Sequence, residues 1–221
     1  MQLAIISDIH ANYEALSAVS DILEKADLVL CLGDFVGYYC QVNEVIDYIR
    51  SLNAICVSGN HDNFLLHGCP SSVLPAVRFG IEFAARTISA DNREWLSHLP
   101  LLWGGFLGER LVLSVHGSPW RPLEDYLYLN NPMFKQLDIF DYDIIAFGQT
   151  HRCIQRIGQK PYLLNPGSIG QPRDHKGVSS LLVLETESMK VEKIERAFDV
   201  NRVIDLAIQN GAGEWIGRHL L

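Results

Sequence analysis

The first sixty residues repeat one pattern of apolar and polar positions three times. Short apolar runs, which are typical of buried strands, cover residues 3–6, 27–32 and 54–57. Between them, apolar residues three or four positions apart predict amphipathic helices over residues 16–26 and 42–49, with Asn12 capping the first. Strands that alternate with helices in this way predict a parallel sheet with right-handed crossovers, and hence an α/β fold.

Each of these predicted strands ends in polar side chains that bind metals or move protons. Asp8 and His10 follow the first strand, Asp34 follows the second, and Asn60 and His61 follow the third. Asp8, Asp34 and Asn60 lie 26 residues apart, so we expect them to meet at the carboxyl edge of the sheet, where open α/β sheets bind ligands. Taken singly, each residue is also typical of an ordinary turn or helix cap.

The rest of the chain predicts more strands than helices. Residues 63–76 predict a loop or lid, and helices are predicted over residues 79–88, 89–99 and 200–209. Strands are predicted over residues 101–106, 111–115, 144–147, 153–157, 162–164, 179–184 and 189–194. We therefore predict an α/β two-sheet sandwich flanked by helices, formed by residues 1–221 as a single domain.

Composition narrows the classes of function. The formal net charge of −8 argues against an extended basic groove for nucleic acid and leaves small phosphorylated substrates open. The five cysteines form no close Cys-x-x-Cys pair, so reduced thiols and a cytoplasmic location are expected. No stretch approaches the roughly 18 apolar residues that span a bilayer, so no membrane association is expected.

The predicted strand ends together supply two carboxylates, one amide and four imidazoles. These residues are Asp8, His10, Asp34, Asn60, His61, His116 and His151. Oxygen and imidazole donors suit divalent Mn, Fe, Zn, Co or Ni rather than a soft cluster. Seven donors are too many for one tetrahedral site, but they suit two cations about 3.5 to 4 Å apart that share a carboxylate.

The order of these motifs resembles that of the calcineurin-like metallophosphoesterases. The motifs that carry the resemblance are Asp8-x-His10, Gly33-Asp34, Gly59-Asn60-His61-Asp62, Val115-His116-Gly117 and Gly148-x-Thr150-His151. The turn Asn165-Pro166-Gly167-Ser168 is similar to one in the small phosphodiesterase branch of that family. The resemblance extends from residue 3 to about residue 205 and implies a four-layer αββα architecture.

The resemblance also implies a division of the site residues between two divalent metal ions. The implied ligands are Asp8, His10 and His151 for the first ion, Asn60 and His116 for the second, and Asp34 for both. A hydroxide that bridges the ions would attack phosphorus in line, and His61 would be the general acid for the departing oxygen or help to hold the phosphate. Asn12 and Arg173 are further candidates for contact with substrate.

Two positions depart from the family pattern. Gln149 stands where relatives usually have a His ligand of the second ion, and a neutral amide is a poorer donor, so a weaker second site is expected. Gly37 and Tyr38 stand where the phosphoprotein phosphatases carry an Asp and an Arg. The lack of that Arg favours phosphodiester or nucleotide-like substrates over phosphoproteins.

Other functions remain open at this point. The same residues suit a phosphomonoesterase or a dinucleoside polyphosphatase. A non-catalytic scaffold with a weakened second metal site, as in the retromer subunit of this fold, and a sensor of metal or nucleotide are the competing classes. A small phosphorylated substrate is the expected partner, and the apolar segment over residues 64–79 leaves a homo-oligomer open.

Overall fold

The computed structural model describes residues 1–220, whose ten β-strands form two five-stranded sheets. The strands are β1 (Gln2–Ile6), β2 (Leu28–Cys31), β3 (Ala54–Cys56), β4 (Leu102–Leu107), β5 (Arg110–Val115), β6 (Ile144–Ala146), β7 (Cys153–Arg156), β8 (Tyr162–Pro166), β9 (Val178–Glu185) and β10 (Lys190–Ala197). The helices are α1 (Tyr13–Ser17), α2 (Ser20–Leu23), α3 (Val42–Ser51), α4 (Asn60–His67), α5 (Pro75–Thr87), α6 (Ala90–Ser97), α7 (Pro132–Gln136) and α8 (Val200–Gln209). Short 3-10 helices cover Leu137–Ile139 and Glu214–His219.

The first sheet has the strand order β10-β9-β1-β2-β3. Its strands β1, β2 and β3 are parallel, as predicted, while β9 runs antiparallel to both β1 and β10. Ile6 at the end of β1 pairs with Cys31 at the end of β2. Because the strands end in register, the loops that carry Asp8 and Asp34 leave the sheet side by side.

The second sheet has the order β4-β5-β6-β8-β7, and its strands β5, β6 and β8 are parallel. The predicted hairpins are present as the antiparallel pairs β4 with β5 and β7 with β8. His116 directly follows β5, and the loop that carries Gln149 and His151 follows β6. The second sheet therefore brings its polar strand ends to the same edge as the first.

The core explains why the two sheets pack face to face. Alternate residues of a strand point to opposite faces, and in β1 Leu3 and Ile5 pack toward the second sheet while Ala4 and Ile6 pack toward the helices. The layer between the sheets contains Leu30, Val112, Ile144 and Leu164. Helices α1, α3 and α5 contribute to the core outside the first sheet, and α7 contributes to the core outside the second. The predicted four-layer αββα arrangement is confirmed.

Two predicted elements differ from the structure. Residues 63–76 were expected to be a loop, but α4 begins at Asn60 and only residues 68–74 are irregular before α5. The helix starts there because the Asp62 carboxylate accepts the N–H of Gly59, which leads into the first turn. The helix predicted over residues 16–26 is instead two short helices, α1 and α2, and Asn12 caps the first as expected. Within residues 1–220, no helix combines the length and the apolar character needed to cross a bilayer.

Candidate metal centre

The polar strand ends of both sheets converge on one buried cluster. His116 Nε2 lies 3.3 Å from Asp34 Oδ2 and 3.1 Å from Asn60 Oδ1, while His151 Nε2 lies 3.3 Å from Asp8 Oδ1. All five of these side chains are almost fully buried. The convergence expected from the sequence spacing is therefore present, and it joins the loops after β1, β2, β3, β5 and β6.

The backbone of the cluster is held in an uncommon conformation. Asp8, His10, Asp34, Gln149 and His151 all have positive φ, between 55° and 65°. Such a left-handed conformation costs a non-glycine residue about 1–3 kcal/mol, and it persists only where the surroundings impose it. Asp and His are among the residues that tolerate it best, which fits their place at these strand ends.

The turn over residues 165–168 supplies part of that constraint. The Ser168 hydroxyl donates to the carbonyl of Asp8 at 2.7 Å, and the Gly170 N–H donates to the same carbonyl at 3.0 Å. The Asn165 amide donates to the carbonyl of Gly148 at 2.8 Å. This turn therefore fixes the loops that carry Asp8 and His151, although it contributes no side chain to the cluster.

Three of the four imidazoles are oriented in the same way. Their Nδ1 atoms contact backbone carbonyls in the pairs His10 with Val36 at 3.0 Å, His116 with Leu32 at 2.7 Å, and His151 with Gln171 at 2.7 Å. An Nδ1–H that donates to a carbonyl leaves Nε2 as the free lone pair, which is the usual arrangement of a metal-bound His. All three Nε2 atoms point to the two carboxylates.

The cluster is chemically unsatisfied unless a cation is bound. The Nε2 atoms of His10 and His151 face each other at 3.2 Å, and both rings already use Nδ1 as donor, so two lone pairs oppose each other. Asp8 Oδ1 is buried and accepts no hydrogen bond from the described part of the chain. Lone pairs and a carboxylate oxygen directed at one point fit divalent cations of the kind that imidazole and carboxylate bind together.

The ionisation states of His10, His151 and Asp34 favour the same interpretation. Burial lowers the pKa of His10 to about 3 and moves that of His151 well below its ordinary value, so both rings are neutral, as metal ligation requires. Burial disfavours ionised Asp34, but His116 and His61 outweigh burial and hold the pKa of this carboxyl well below its ordinary value. Two neighbouring groups shift in the opposite sense. Burial raises the pKa of Asp8 to about 7, and burial lowers the pKa of His116 but the Asp34 carboxylate outweighs it and raises that pKa to about 9.

Comparison with known proteins identifies the family. Residues 1–189 match the calcineurin-like phosphoesterase superfamily domain. The chain belongs to this superfamily. This phosphoesterase is 32% identical over 240 residues to an uncharacterized protein of Methanocaldococcus jannaschii, a match that covers 99% of this chain and 96% of that protein. Buried His and Asp groups of this kind are consistent with the dimetal site typical of the family.

Solved structures agree with the assignment. A metallophosphoesterase from Sphaerobacter thermophilus superimposes with a TM-score of 0.83 and 28% identity, covering 100% of this chain and 98% of that chain. A hypothetical protein from Pyrococcus horikoshii superimposes with a TM-score of 0.84 and 21% identity, covering 99% and 97%. An archaeal phosphodiesterase shares the fold, with a TM-score of 0.53, 16% identity and coverage of 88% and 99%.

The remaining site candidates of the phosphoesterase occupy different surroundings. His61 and Arg173 line a cavity next to the cluster. Asn12 does not line it: the side chain is fully buried, donates to the carbonyl of Gly170 and accepts the N–H of Ala15. These two hydrogen bonds give Asn12 a structural role.

Gln149 lies at the edge of the cluster with its side chain anchored elsewhere. Its backbone N–H donates to Asp8 Oδ2 at 3.1 Å, and its Nε2 donates to the carbonyl of Leu123 at 3.3 Å. Its Oε1 is buried, and no donor in the described part of the chain reaches it. Gln149 therefore has a free acceptor atom near the cluster, but its amide nitrogen is bonded to the loop that follows His116.

Asp62 is a site residue to which sequence reasoning gave no role. Its carboxylate is completely buried and accepts four backbone N–H groups, those of Asp34, Phe35, Val36 and Gly59, at 2.9 to 3.2 Å. It thereby clamps the loop after β2 to the loop after β3. The one available signal was the position of Asp62 at the third residue of a helix, where a carboxylate returns to the preceding N–H groups.

Proposed function

We propose that the protein is a metal-dependent phosphoesterase that hydrolyses phosphodiester or nucleotide-like substrates with two divalent cations and His61 as general acid. The observation that carries the proposal is the fixed orientation of three imidazoles, whose Nε2 atoms face Asp8 and Asp34 while their Nδ1 atoms contact backbone carbonyls. Buried acids and imidazoles that face one another, with Asp8 Oδ1 left without a hydrogen-bond donor among the described residues, are costly unless they serve chemistry.

We assign the donors to two sets that share Asp34, as the family resemblance implies. One ion would be held by Asp8, His10, His151 and Asp34, and the other by Asp34, Asn60 and His116, with Gln149 as a further candidate ligand. When bound, two such cations neutralise phosphoryl oxygens and lower the pKa of water enough to provide a nucleophile. The protein contributes rigidity, because the three imidazoles and the two carboxylates are each fixed by a strand end and by a hydrogen bond to the backbone.

His61 differs from the other three imidazoles in a way that suits proton transfer. Its Nδ1 has no hydrogen-bond partner in the described structure, and its Nε2 faces the cluster, 3.9 Å from Asp34 Oδ2. Tyr38 stacks on the ring at 5.3 Å and Phe64 contacts it at 5.7 Å, so the ring is held by aromatic neighbours. Nε2 is therefore the atom that would hold the proton for the departing oxygen.

The charges near His61 favour a diester over a phosphoprotein. Among the described residues that line the cavity, Arg173 is the one cation. Tyr38, which stands where the phosphoprotein phosphatases carry an Arg, lines the same cavity as Arg173. A single guanidinium suits the single negative charge of a phosphodiester.

The role of His61 as general acid can be tested with two phosphodiesters whose leaving groups differ in their need for a proton. Full-length protein with Mn²⁺ should hydrolyse bis(p-nitrophenyl) phosphate and diphenyl phosphate. His61→Asn should lower kcat for the phenyl ester about a hundredfold or more, because phenolate departs poorly without a proton, and should lower kcat for the p-nitrophenyl ester much less. His67→Asn, on the exposed end of the same helix, is the matched control and should leave both rates unchanged.

Two results would contradict this proposal. Equal losses with both esters would mean that His61 holds the phosphate and does not donate a proton. Absence of turnover with Mn, Fe, Zn, Co and Ni, in a protein that binds these ions, would exclude the enzyme and favour the scaffold.

A further inference from the structure

The cavity beside the metal cluster has two walls of opposite character. It encloses about 260 Å³. Its polar wall consists of cluster residues and Arg173. Its apolar wall consists of Phe64, Val73, Leu74 and Val77.

The apolar wall is built by the segment that joins two helices over the site. Phe64 lies on α4, Val77 lies on α5, and Val73 and Leu74 belong to the irregular residues between them. Val77 is buried, whereas Leu74 is 53% exposed although it lines the cavity. A large aliphatic side chain left open at a cavity is a surface that a ligand can cover.

The position of the wall relates it to the departing group of a substrate. Phe64 contacts the His61 ring, so the apolar surface begins directly beside the proposed general acid. The group whose oxygen receives the proton from His61 must therefore lie against Phe64 and its neighbours. A volume of 260 Å³ is enough for a phosphoryl group and one ring, since a cavity of about 150 Å³ already holds benzene.

The charged side chains of the lining favour a substrate with a single phosphoryl group. Arg173 is the single cation and Asp34 the single carboxylate among the described residues that line the cavity. A polyphosphate chain needs several cations along its length, and the side chains of the apolar wall carry no charge. The lining suits an uncharged group next to one phosphoryl group.

We propose that the wall of Phe64, Val73, Leu74 and Val77 binds an aromatic or similarly flat apolar group esterified to phosphate, so that aryl-type phosphodiesters, and not polyphosphates, are the substrate class. This inference rests on the proposed function, because it places the phosphoryl group at the metal cluster. Specificity then comes from apolar contact at the leaving group and from the single guanidinium, that of Arg173, among the described residues that line the cavity.

Two phosphonates test the inference without turnover. Phenylphosphonate and methylphosphonate carry the same charge and differ only in the apolar group. Their dissociation constants for the Mn²⁺-loaded full chain, measured by calorimetry, should differ about tenfold or more in favour of the phenyl compound, as expected when an apolar pocket is filled. Leu74→Asn should reduce this ratio to about threefold or less and leave methylphosphonate binding unchanged.

The variant is chosen so that folding is preserved. Leu74 occupies the N-cap of α5, a position at which Asn is favoured, and Leu74→Asn is therefore expected to fold. Leu101→Asn is the matched control, because Leu101 is 46% exposed and does not line the cavity. Val73→Thr, which keeps the shape of the side chain and adds a hydroxyl, is a second variant with the same expected direction.

The outcomes separate this inference from the proposed function. Equal affinity for the two phosphonates, no binding of either, or tighter binding of methylenebisphosphonate than of phenylphosphonate would overturn the inference. If the protein hydrolyses bis(p-nitrophenyl) phosphate but shows equal affinities, the substrate class is wrong and the phosphodiesterase function stands. A tenfold ratio without turnover would support the apolar site and contradict the enzyme.

Discussion

The Asp62→Asn substitution tests whether the site depends on a buried carboxylate that touches neither substrate nor metal. Asn has nearly the shape of Asp but only one acceptor oxygen. In the structure, one carboxylate oxygen accepts the N–H groups of Asp34 and Gly59, and the other accepts those of Phe35 and Val36. Whichever way the amide turns, its NH₂ group faces two backbone N–H donors.

The cost follows from the number of acceptors lost. A buried donor without an acceptor costs about 1–3 kcal/mol, so two of them should lower the free energy of unfolding by about 2–6 kcal/mol. Removal of a buried negative charge near Asp34 offsets part of this cost, and we expect a value near the lower end. Since domains unfold with about 5–15 kcal/mol, the variant should fold but be clearly less stable.

Urea unfolding in the presence of a chelator measures the effect without metal. The midpoint should fall while the slope with urea stays unchanged, because the same surface is exposed. Asp199→Asn is the control: Asp199 caps α8 through one hydrogen bond, Asn caps equally well, and the change should stay within about 0.5 kcal/mol. A loss below about 1 kcal/mol for Asp62→Asn would refute the argument that four donors depend on this carboxylate.

Three further predictions concern other parts of the chain. Gln149→His should tighten binding of the second Mn²⁺ in calorimetric titration, and two equally tight sites before and after the change would place Gln149 away from the metals. Gly37→Ala should lower kcat for diphenyl phosphate at least about tenfold without changing Mn²⁺ affinity, because a Cβ there would overlap His61 Nδ1 and φ is +93°. Burial disfavours ionised Asp143, but the Leu111 N–H helps to outweigh it and lowers the pKa of this carboxyl. A carboxyl whose pKa is lowered in the folded state stabilises the fold fully above its unfolded pKa of about 3.9. Asp143→Ala should therefore lower the free energy of unfolding by about 1 kcal/mol near pH 7. Urea unfolding at several pH values should show this difference vanish as the pH falls through the folded pKa.

The sequence predicted the strands, several of the helices and the convergence of the strand ends for a simple physical reason. Parallel strands joined by helices must end at one edge, so the spacing of Asp8, Asp34 and Asn60 carries three-dimensional information. Successive residues of β1 likewise point to opposite faces of the first sheet. Leu3 therefore packs in the core between the two sheets, and Ala4 packs in the core beneath the helices. Structure that depends on the two-residue alternation of a strand, or on the regular spacing of strand-and-helix units, can therefore be predicted from the sequence alone.

Features that depend on contact between loops were not accessible in this way. The four hydrogen bonds of Asp62 join the ends of β2 and β3, and no local pattern reports which backbone groups a carboxylate will meet. The apolar wall contains Phe64 of α4 and Val77 of α5, which are separated by an irregular segment. The sequence predicted only a loop or lid there, and no pattern showed that these two side chains share a cavity. Asn12 is the opposite case. This polar residue lies next to the motifs in the sequence, but its side chain caps α1 and donates to the carbonyl of Gly170.

The loop after β6 shows how the two proposed ion sites come to differ. Gln149 and His151 share the same left-handed backbone, with φ of 65° and 56°, so the backbone alone does not separate their roles. The difference lies in what anchors each side chain. His151 is anchored through Nδ1 to the carbonyl of Gln171, which turns Nε2 to the carboxylates, whereas Gln149 is anchored by its amide nitrogen to Leu123. In the proposed assignment, Gln in place of the family's usual His would leave the first site with its complete set of donors and remove a strong donor from the second alone. Occupancy of the second ion would then be the step at which activity is lost while the fold is retained.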